Sequence, residues 1–303
     1  MRFTFTADRI CQVKTFLKAQ DISRGLLAKI KFRGGGIWVN SRAENAVYHL
    51  SIGDVVTVDI PDEAAFENLV AIEHPLTIVY EDDHFLAIDK PVGYASIPSA
   101  IHSNTIANFV KHYLVSQNYP NQQVHIVTRL DRDTSGLMLF AKHGYAHARL
   151  DKQLQSKTIE KRYYALVEGE AELPDEGEIV APIARDEESI ITRRVHDSGK
   201  PAHTSFQVIG RYGAVKLVDI QLHTGRTHQI RVHFSHIGHP LLGDDLYGGN
   251  LSYGIHRQAL HCHSLSFFHP FEEKQINLSS NLTDDMEKVI IETVEKRIPT
   301  DQR

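Results

Sequence analysis

A charged, turn-forming segment runs directly into an uninterrupted apolar run near the middle of the chain. Residues 129–136 read Arg-Leu-Asp-Arg-Asp-Thr-Ser-Gly, and residues 137–141 read Leu-Met-Leu-Phe-Ala. This order predicts a polar turn that holds the carboxylate of Asp131 at the mouth of a buried strand. Arg129 and Arg132 flank Asp131, and nearby cations favour the ionised carboxylate. Two roles remain open for Asp131, a nucleophile or one half of an ion pair.

The length and charge of the chain are those of an ordinary globular protein. Its 303 residues suffice for one large core, or for a large domain and a small one. Because no apolar stretch approaches the roughly 20 residues that cross a bilayer, and no signal peptide is evident, we expect a cytoplasmic protein without membrane contact. A net charge of −5 argues against nonspecific coating of nucleic acid, but not against an enzyme with a basic groove.

Composition divides the chain into two domains joined by an acidic linker. We assign residues 1–62 to a small N-terminal domain, residues 63–73 to the linker and residues 74–303 to the main domain. The capping and apolar spacing of the N-terminal domain predict one helix and then two strands, at residues 21–31, 37–40 and 53–60.

The main domain contains many short β-like runs with helical segments between them. The predicted helices cover residues 104–119 and 143–156, and a hairpin turn is expected at residues 81–83. Further strands are predicted at residues 163–169, 204–210 and 215–222. Strands that mostly follow one another without regular helices favour an α+β fold with a mixed, mostly antiparallel central sheet flanked by helices.

A second polar motif covers residues 222–234, Leu-His-Thr-Gly-Arg-Thr-His-Gln-Ile-Arg-Val-His-Phe. One interpretation is a loop beside Asp131 in which Arg226 is the bidentate partner of that carboxylate. The other is a solvated basic turn that caps a helix over residues 227–236. Residue types alone leave both open.

A third motif lies in a predicted strand at residues 160–169. Alternation places Lys161 and Tyr163 on one face and Arg162 on the other. A tyrosine directed into a polar pocket can stack on a base and offer its hydroxyl. The alternative is simple packing, because strands favour aromatic residues.

Histidines are numerous, and their spacing raises the question of a metal site. The group comprises His223, His228, His233, His236, His239, His261 and His263. No Asp or Glu falls between His223 and His239, and no His-Glu-x-x-His arrangement is present, so structural histidines are favoured over a metal-dependent hydrolase. The two cysteines, Cys11 and Cys262, exclude a disulfide framework and a cysteine-based zinc site. Asp133 is assigned a structural role in the turn, where its side chain would satisfy backbone donors.

Taken together, the three motifs resemble the RluA/RluD-type pseudouridine synthases. Residues 129–137 resemble the catalytic signature of that family, residues 161–169 its second motif, and residues 224–233 with 239–248 its third. The likeness runs from about residue 75 to residue 275. One departure is Thr128, which stands where the family usually has histidine.

The resemblance implies isomerisation of uridine to pseudouridine in structured RNA, without metal or other cofactor. Asp131 would be the catalytic carboxylate, with Arg226 as its partner and Tyr163 stacked on the target base. The carboxylate could attack carbon 1′ of the ribose, abstract a proton from the adjacent sugar carbon, or add to the uracil ring. Arg129 would fill the space that the flipped uridine leaves. Contacts with RNA phosphate are expected from Lys90, Lys161, Arg162 and Arg231, and a further substrate contact from Leu222.

The N-terminal domain resembles the S-four-like RNA-binding domain that many such enzymes carry. Its expected RNA-binding residues are Arg24, Lys29, Lys31 and Arg33. The expected substrate is large-subunit ribosomal RNA, with transfer RNA as the alternative, and the expected state is a monomer. The rival interpretation is a noncatalytic RNA-binding or ribosome-assembly protein on the same fold.

Overall fold

The computed structural model describes residues 1–63, 69–189 and 191–295. Residues 64–68 of the predicted linker therefore lie outside the described residues. In the described part of the chain, no helix is long and apolar enough to cross a membrane.

The N-terminal residues form a sheet and a core of their own. Strands β1, β6, β3 and β4 pair in that order, and α2 begins after Ser23, whose hydroxyl accepts a hydrogen bond from the Leu26 amide at 3.1 Å. The predicted helix and both predicted strands are confirmed as α2, β3 and β6. The elements are β1 (Arg2–Thr6), β2 (Cys11–Gln12), α1 (Val13–Ala19), α2 (Arg24–Phe32), β3 (Gly36–Val39), β4 (Arg42–Ala43), β5 (His49–Leu50) and β6 (Val55–Asp59).

The remaining elements form the main part of the molecule around one large sheet. The first of them are β7 (Thr77–Glu81), β8 (Phe85–Lys90), α3 (Ile106–Ser116), β9 (His125–Ile126), β10 (Ser135–Ala141), α4 (Gly144–Gln155), β11 (Glu160–Glu168), β12 (Glu176–Val180), β13 (Ile183–Arg185) and β14 (Arg193–Val195). They are followed by β15 (His203–Tyr212), β16 (Val215–Leu222), α5 (Gln229–His236), β17 (Leu260–His269), β18 (Lys274–Ser279) and α6 (Asp284–Glu295).

This ten-stranded sheet has the order β12-β15-β16-β11-β17-β10-β8-β7, with β18 paired to β17 and β9 to β10. Its described pairs are antiparallel except that of β10 with β17, which is parallel. The expected α+β class with a mixed, mostly antiparallel sheet is confirmed. The predicted helices at residues 104–119 and 143–156 are confirmed as α3 and α4, and the predicted hairpin as β7–β8.

The neighbouring strands β10, β17, β11 and β16 position the site. All seven residues of β10 are buried, as its apolar run predicts. Gly136 at the start of β10 has a φ of 108°, and a Cβ there would lie 2.3 Å from the Cys262 carbonyl oxygen. Only glycine therefore allows β10 to approach β17 this closely where the turn that carries Asp131 enters the sheet.

The two parts of the molecule share aromatic contacts. Tyr145 of α4 is buried in the N-terminal core, where its ring meets Phe3 edge-on at 4.9 Å. Phe271 packs against the cores of both parts. Asp21 of the N-terminal part pairs with Arg149 of α4 at 3.3 Å. The N-terminal sheet is thus packed against the main domain through α4 and Phe271.

Candidate active site

A cavity of about 540 Å³ opens where β10, β11 and β16 meet their loops. Most of its walls come from three segments that are distant in sequence, namely the turn before β10, one face of β11, and the segment from the end of β16 to the start of α5. Residues 95–97, Leu154 and Leu260 complete the lining. Seven of the predicted site residues line the cavity: Arg129, Asp131, Lys161, Tyr163, Leu222, Arg226 and Arg231.

The turn that carries Asp131 is fixed by backbone hydrogen bonds. The Thr134 amide donates to the carbonyl of Asp131 at 3.2 Å. The hydroxyl of Ser96 donates to the carbonyl of Leu130 at 2.6 Å, and the amide of Leu130 donates back to that hydroxyl at 3.2 Å. The Asp131 side chain stays 35% exposed, so its carboxylate is open to the cavity.

The expected pairing of Arg226 with Asp131 is wrong. The cations within 4 Å of the carboxylate, among the described residues, are Arg231, with Nη1 at 3.8 Å, and His228 when protonated, with Nε2 at 3.9 Å. Arg226 instead donates from Nε to the carbonyl of Pro201 at 3.0 Å. The reason is the direction of the side chains, because Arg226 is held at Pro201 whereas Arg231, in α5, directs Nη1 toward Asp131.

Arg231 was expected to contact RNA phosphate, and its surroundings contradict this. Its side chain is 5% exposed, and its Nε and Nη2 donate to Asp244 at 2.6 and 2.7 Å. Its guanidinium also lies 4.9 Å from the ring centroid of Tyr247. Burial and these partners hold Arg231 inside the protein, where it faces Asp131.

Lys90 was also expected at phosphate, but it supports the turn from inside the protein. The side chain is buried, and the amine donates to the carbonyls of Pro91 and Arg132, each at 2.8 Å. Burial lowers the pKa of this amine to about 7. Lys90 thus satisfies backbone acceptors of the segment that carries Asp131 and does not reach the surface.

The two basic residues of β11 point to opposite faces, as strand alternation requires. Lys161 lines the cavity, and burial lowers the pKa of its amine. Arg162 lies on the other face, where its Nη2 donates to Asp219 at 2.8 Å. Arg162 therefore does not line the cavity, and a contact of its 41% exposed side chain with RNA phosphate stays a prediction.

Tyr163 forms a buried wall of the cavity. Burial raises the pKa of its hydroxyl well above the ordinary value, and burial also raises the pKa of the neighbouring Cys262 thiol to about 12. The Tyr163 hydroxyl therefore carries its proton at neutral pH. It can donate a hydrogen bond, while the ring offers a flat apolar face.

Thr128 and Asp133 have structural contacts. Thr128 is buried, and its hydroxyl accepts a hydrogen bond from the Leu139 amide at 2.9 Å. This bond ties the residue before Arg129 to strand β10. Asp133 accepts from Nε and Nη2 of Arg132, at 2.9 and 2.7 Å, where backbone donors had been expected.

The histidine spacing does not assemble a cluster of metal ligands in the described part of the chain. His233 is buried between the Thr204 hydroxyl, at 2.9 Å, and the Ala181 carbonyl, at 3.0 Å. The described residues whose donor atoms could share an ion are Asp82, His269 and Glu272. Asp82 there already accepts hydrogen bonds from the backbone amides at the β7–β8 turn.

The predicted RNA-binding residues of the N-terminal domain are all exposed. They lie on α2 and directly after it, and Lys29 is 3.4 Å from Glu63. These residues are Arg24, Lys29, Lys31 and Arg33.

Sequence reasoning missed three neighbours of the cavity. His228 lies within the second polar motif, directly before α5, but its left-handed backbone, which aims the ring at Asp131, has no sequence signal. Asp244 and Tyr247 follow α5 in a loop, and no local pattern identifies them as the partners of Arg231.

Comparison with known proteins identifies the family of this site. A profile of the RNA pseudouridylate synthases matches residues 84–236, which include Asp131, Tyr163 and Arg231. The chain belongs to the RNA pseudouridylate synthase family. It is an RNA pseudouridine synthase, and hence an isomerase.

Relatives of this synthase extend over nearly the whole chain. The RNA pseudouridine synthase YjbO of Bacillus subtilis is 44% identical over 92% of this chain and 98% of its own length. The ribosomal large subunit pseudouridine synthase C of Vibrio cholerae is 34% identical over 92% of each chain. The solved structure of human RNA pseudouridylate synthase domain containing 4 shares the fold, with a TM-score of 0.59 and 22% identity over 72% of this chain and 93% of that one.

Proposed function

We propose that this synthase isomerises uridine in large-subunit ribosomal RNA, with Asp131 as the catalytic carboxylate. The observation that carries the proposal is the Asp131 carboxylate, which opens into the cavity opposite the buried Tyr163 and lies 3.8 Å from Arg231. Relatives 34% to 38% identical are named ribosomal large subunit pseudouridine synthases C and D, which favours ribosomal over transfer RNA as the substrate.

The charges around the cavity suit an ionised carboxylate. Arg231 is held in place by Asp244, so it presents a fixed positive charge to Asp131. An oriented, ionised carboxylate is what nucleophilic or proton-abstracting use of an aspartate requires.

The cavity walls suit a flipped nucleotide. Extrusion of a uridine from folded RNA costs a few kcal/mol of unstacking. Exposed Arg129 at the rim would occupy the vacated space, while the Tyr163 ring would lie against the uracil and Leu222 would complete the apolar contact. Lys161 and Arg226 supply positive charge for the RNA backbone, which basic side chains contact most often.

The N-terminal residues would serve as an S-four-like RNA-binding domain in this proposal. Their exposed basic residues on and after α2 support such a role, because Lys and Arg provide most contacts to phosphate. We place the domain at residues 1–62, with residues 63–73 as linker and residues 74–303 as the catalytic domain, in a cytoplasmic monomer.

The proposal is tested by mapping pseudouridine in total RNA from cells that lack the gene and carry one of three versions of it. The wild-type version should restore pseudouridine at one or more positions in large-subunit ribosomal RNA. Asp131→Asn should restore none, whereas Asp133→Asn should restore it. Activity of Asp131→Asn at the wild-type level would contradict the catalytic assignment, and restoration confined to transfer RNA would contradict the substrate.

A further inference from the structure

His228 occupies an unusual backbone conformation at the edge of the cavity. Its φ of 57° and ψ of 21° are left-handed, and α5 begins at the next residue. This conformation is uncommon for a residue other than glycine. It directs the imidazole between two groups: Nδ1 lies 2.8 Å from the Tyr247 hydroxyl, and Nε2 lies 3.9 Å from Oδ2 of Asp131.

The contacts of Tyr247 favour one tautomer of His228. The Tyr247 hydroxyl oxygen accepts a hydrogen bond from the Arg193 amide at 2.9 Å. Its own proton is then free to be donated to Nδ1 of His228. A neutral imidazole that accepts at Nδ1 carries its proton on Nε2. In that tautomer the N–H of His228 points toward Asp131.

The surroundings of His228 favour its neutral form, mainly through burial. The carboxylates of Asp131 and Asp244 face it together with the guanidinium groups of Arg231 and Arg193, so opposite charges largely offset one another. Burial is the largest influence, and it lowers the pKa of His228 below the ordinary value. At neutral pH the ring is thus an uncharged donor.

We propose that His228 is a positioning residue that donates from Nε2 to the Asp131 carboxylate when a uridine enters the cavity. The distances of 3.8 Å from Arg231 and 3.9 Å from His228 are both longer than a hydrogen bond. Hydrogen bonds of catalytic groups are often long without substrate and shorten in the complex. Since Nε and Nη2 of Arg231 are committed to Asp244, His228 supplies the second donor.

This inference rests on the proposed catalytic role of Asp131, but its first test does not need activity. NMR of the imidazole nitrogens in the RNA-free protein should show Nδ1 without a proton and Nε2 with one. Tyr247→Phe keeps the ring beneath Arg231 and removes the hydroxyl, so the preference for that tautomer should be lost. A proton on Nδ1 of the wild-type protein would overturn the proposal.

The second test compares side chains that differ in reach. In His228→Gln the terminal amide can occupy the place of Nε2, whereas in His228→Asn it is too short, although asparagine tolerates the left-handed backbone. Loss of a hydrogen bond to a charged group corresponds to about a 10- to 100-fold change in rate. His228→Asn should lower kcat by that factor with unchanged KM and unchanged thermal midpoint, and His228→Gln should recover most of the loss.

The exposed His236 in the last turn of α5 provides the control, and His236→Asn should keep wild-type kcat. Equal kcat for wild type and His228→Asn would overturn the positioning role. Failure of the proposed function is recognised separately, because it would appear as activity of Asp131→Asn and would leave the tautomer of His228 unaffected.

Discussion

Arg231 and Asp244 form a buried ion pair with two parallel hydrogen bonds, at 2.6 and 2.7 Å, next to the candidate catalytic carboxylate. Their side chains are 5% and 0% exposed. Because this pair uses Nε and Nη2 of the guanidinium, only Nη1 faces Asp131, at 3.8 Å. Asp244 thus determines where the positive charge of the site lies, although it does not line the cavity itself.

Replacement of Asp244 by asparagine should therefore affect both stability and catalysis. Asp244→Asn leaves the Arg231 charge buried without its anion, and breaking a buried pair in this way costs about 3–5 kcal/mol. We expect the free energy of unfolding, measured with denaturant, to fall by that amount. We also expect a large fall in kcat at temperatures where the variant stays folded. The adjacent Asp245 is exposed, so Asp245→Asn should change neither quantity. Wild-type stability of Asp244→Asn would show that the pair contributes nothing.

The buried amine of Lys90 should affect the stability of the protein in alkaline solution. Burial lowers the pKa of its amine to about 7 from the ordinary 10.5. Between these two pH values the unfolded chain binds more protons than the folded protein, so the contribution of Lys90 to stability rises with pH. Lys90→Met should flatten this rise when unfolding by denaturant is followed from pH 7 to about 10. The exposed lysine Lys288, paired with Glu292, gives the control Lys288→Met, which should retain the wild-type slope.

The features predicted correctly from sequence depend on short segments. The buried strand β10 follows from an unbroken apolar run, and the helices α3 and α4 follow from apolar spacing over three turns or more. The opposite orientation of Lys161 and Arg162 likewise follows from the alternation of side chains along a strand. Both had nevertheless been expected to contact the substrate.

The features that sequence could not supply depend on contacts between distant segments. Arg226 and Arg231 are both plausible partners of Asp131 by residue type, and the choice depends on where α5 begins and on Asp244, thirteen residues after Arg231. Lys90 is buried because β8 pairs with β10, which places its amine beside the carbonyl of Arg132, 42 residues away. No local pattern encodes either contact.

The buried ring of His143 should make the stability of the protein sensitive to acid. It caps α4, with Nδ1 accepting from the Ala146 amide at 3.1 Å, and burial lowers the pKa of its ring to about 3. Between pH 3 and its ordinary value near 6.5, the unfolded chain binds the extra proton, so stability falls as the pH falls. Serine also caps helices well, so His143→Ser removes the titrating ring and keeps the cap. The free energy of unfolding of this variant should therefore fall less steeply as the pH falls. His236→Ser should show the same fall in unfolding free energy with falling pH as the wild type. An unchanged fall in His143→Ser would contradict the attribution of this acid sensitivity to His143.

The exposed basic residues of the N-terminal domain should contribute to the salt dependence of RNA binding. Each phosphate contact that a protein neutralises adds roughly 0.7 to 0.9 to the slope of log affinity against log salt concentration. If Arg24 and Lys31 contact phosphate, the double variant Arg24→Ala/Lys31→Ala should reduce that slope by about 1 to 2 and weaken binding most at low salt. Since neither residue lies near the cavity lining, kcat at saturating RNA should stay at the wild-type value. Lys288→Ala removes an exposed cation of α6 and should leave the slope unchanged. An unaltered slope in the double variant would mean that α2 does not bind the RNA, and the recognition of structured RNA would then depend on the catalytic domain alone.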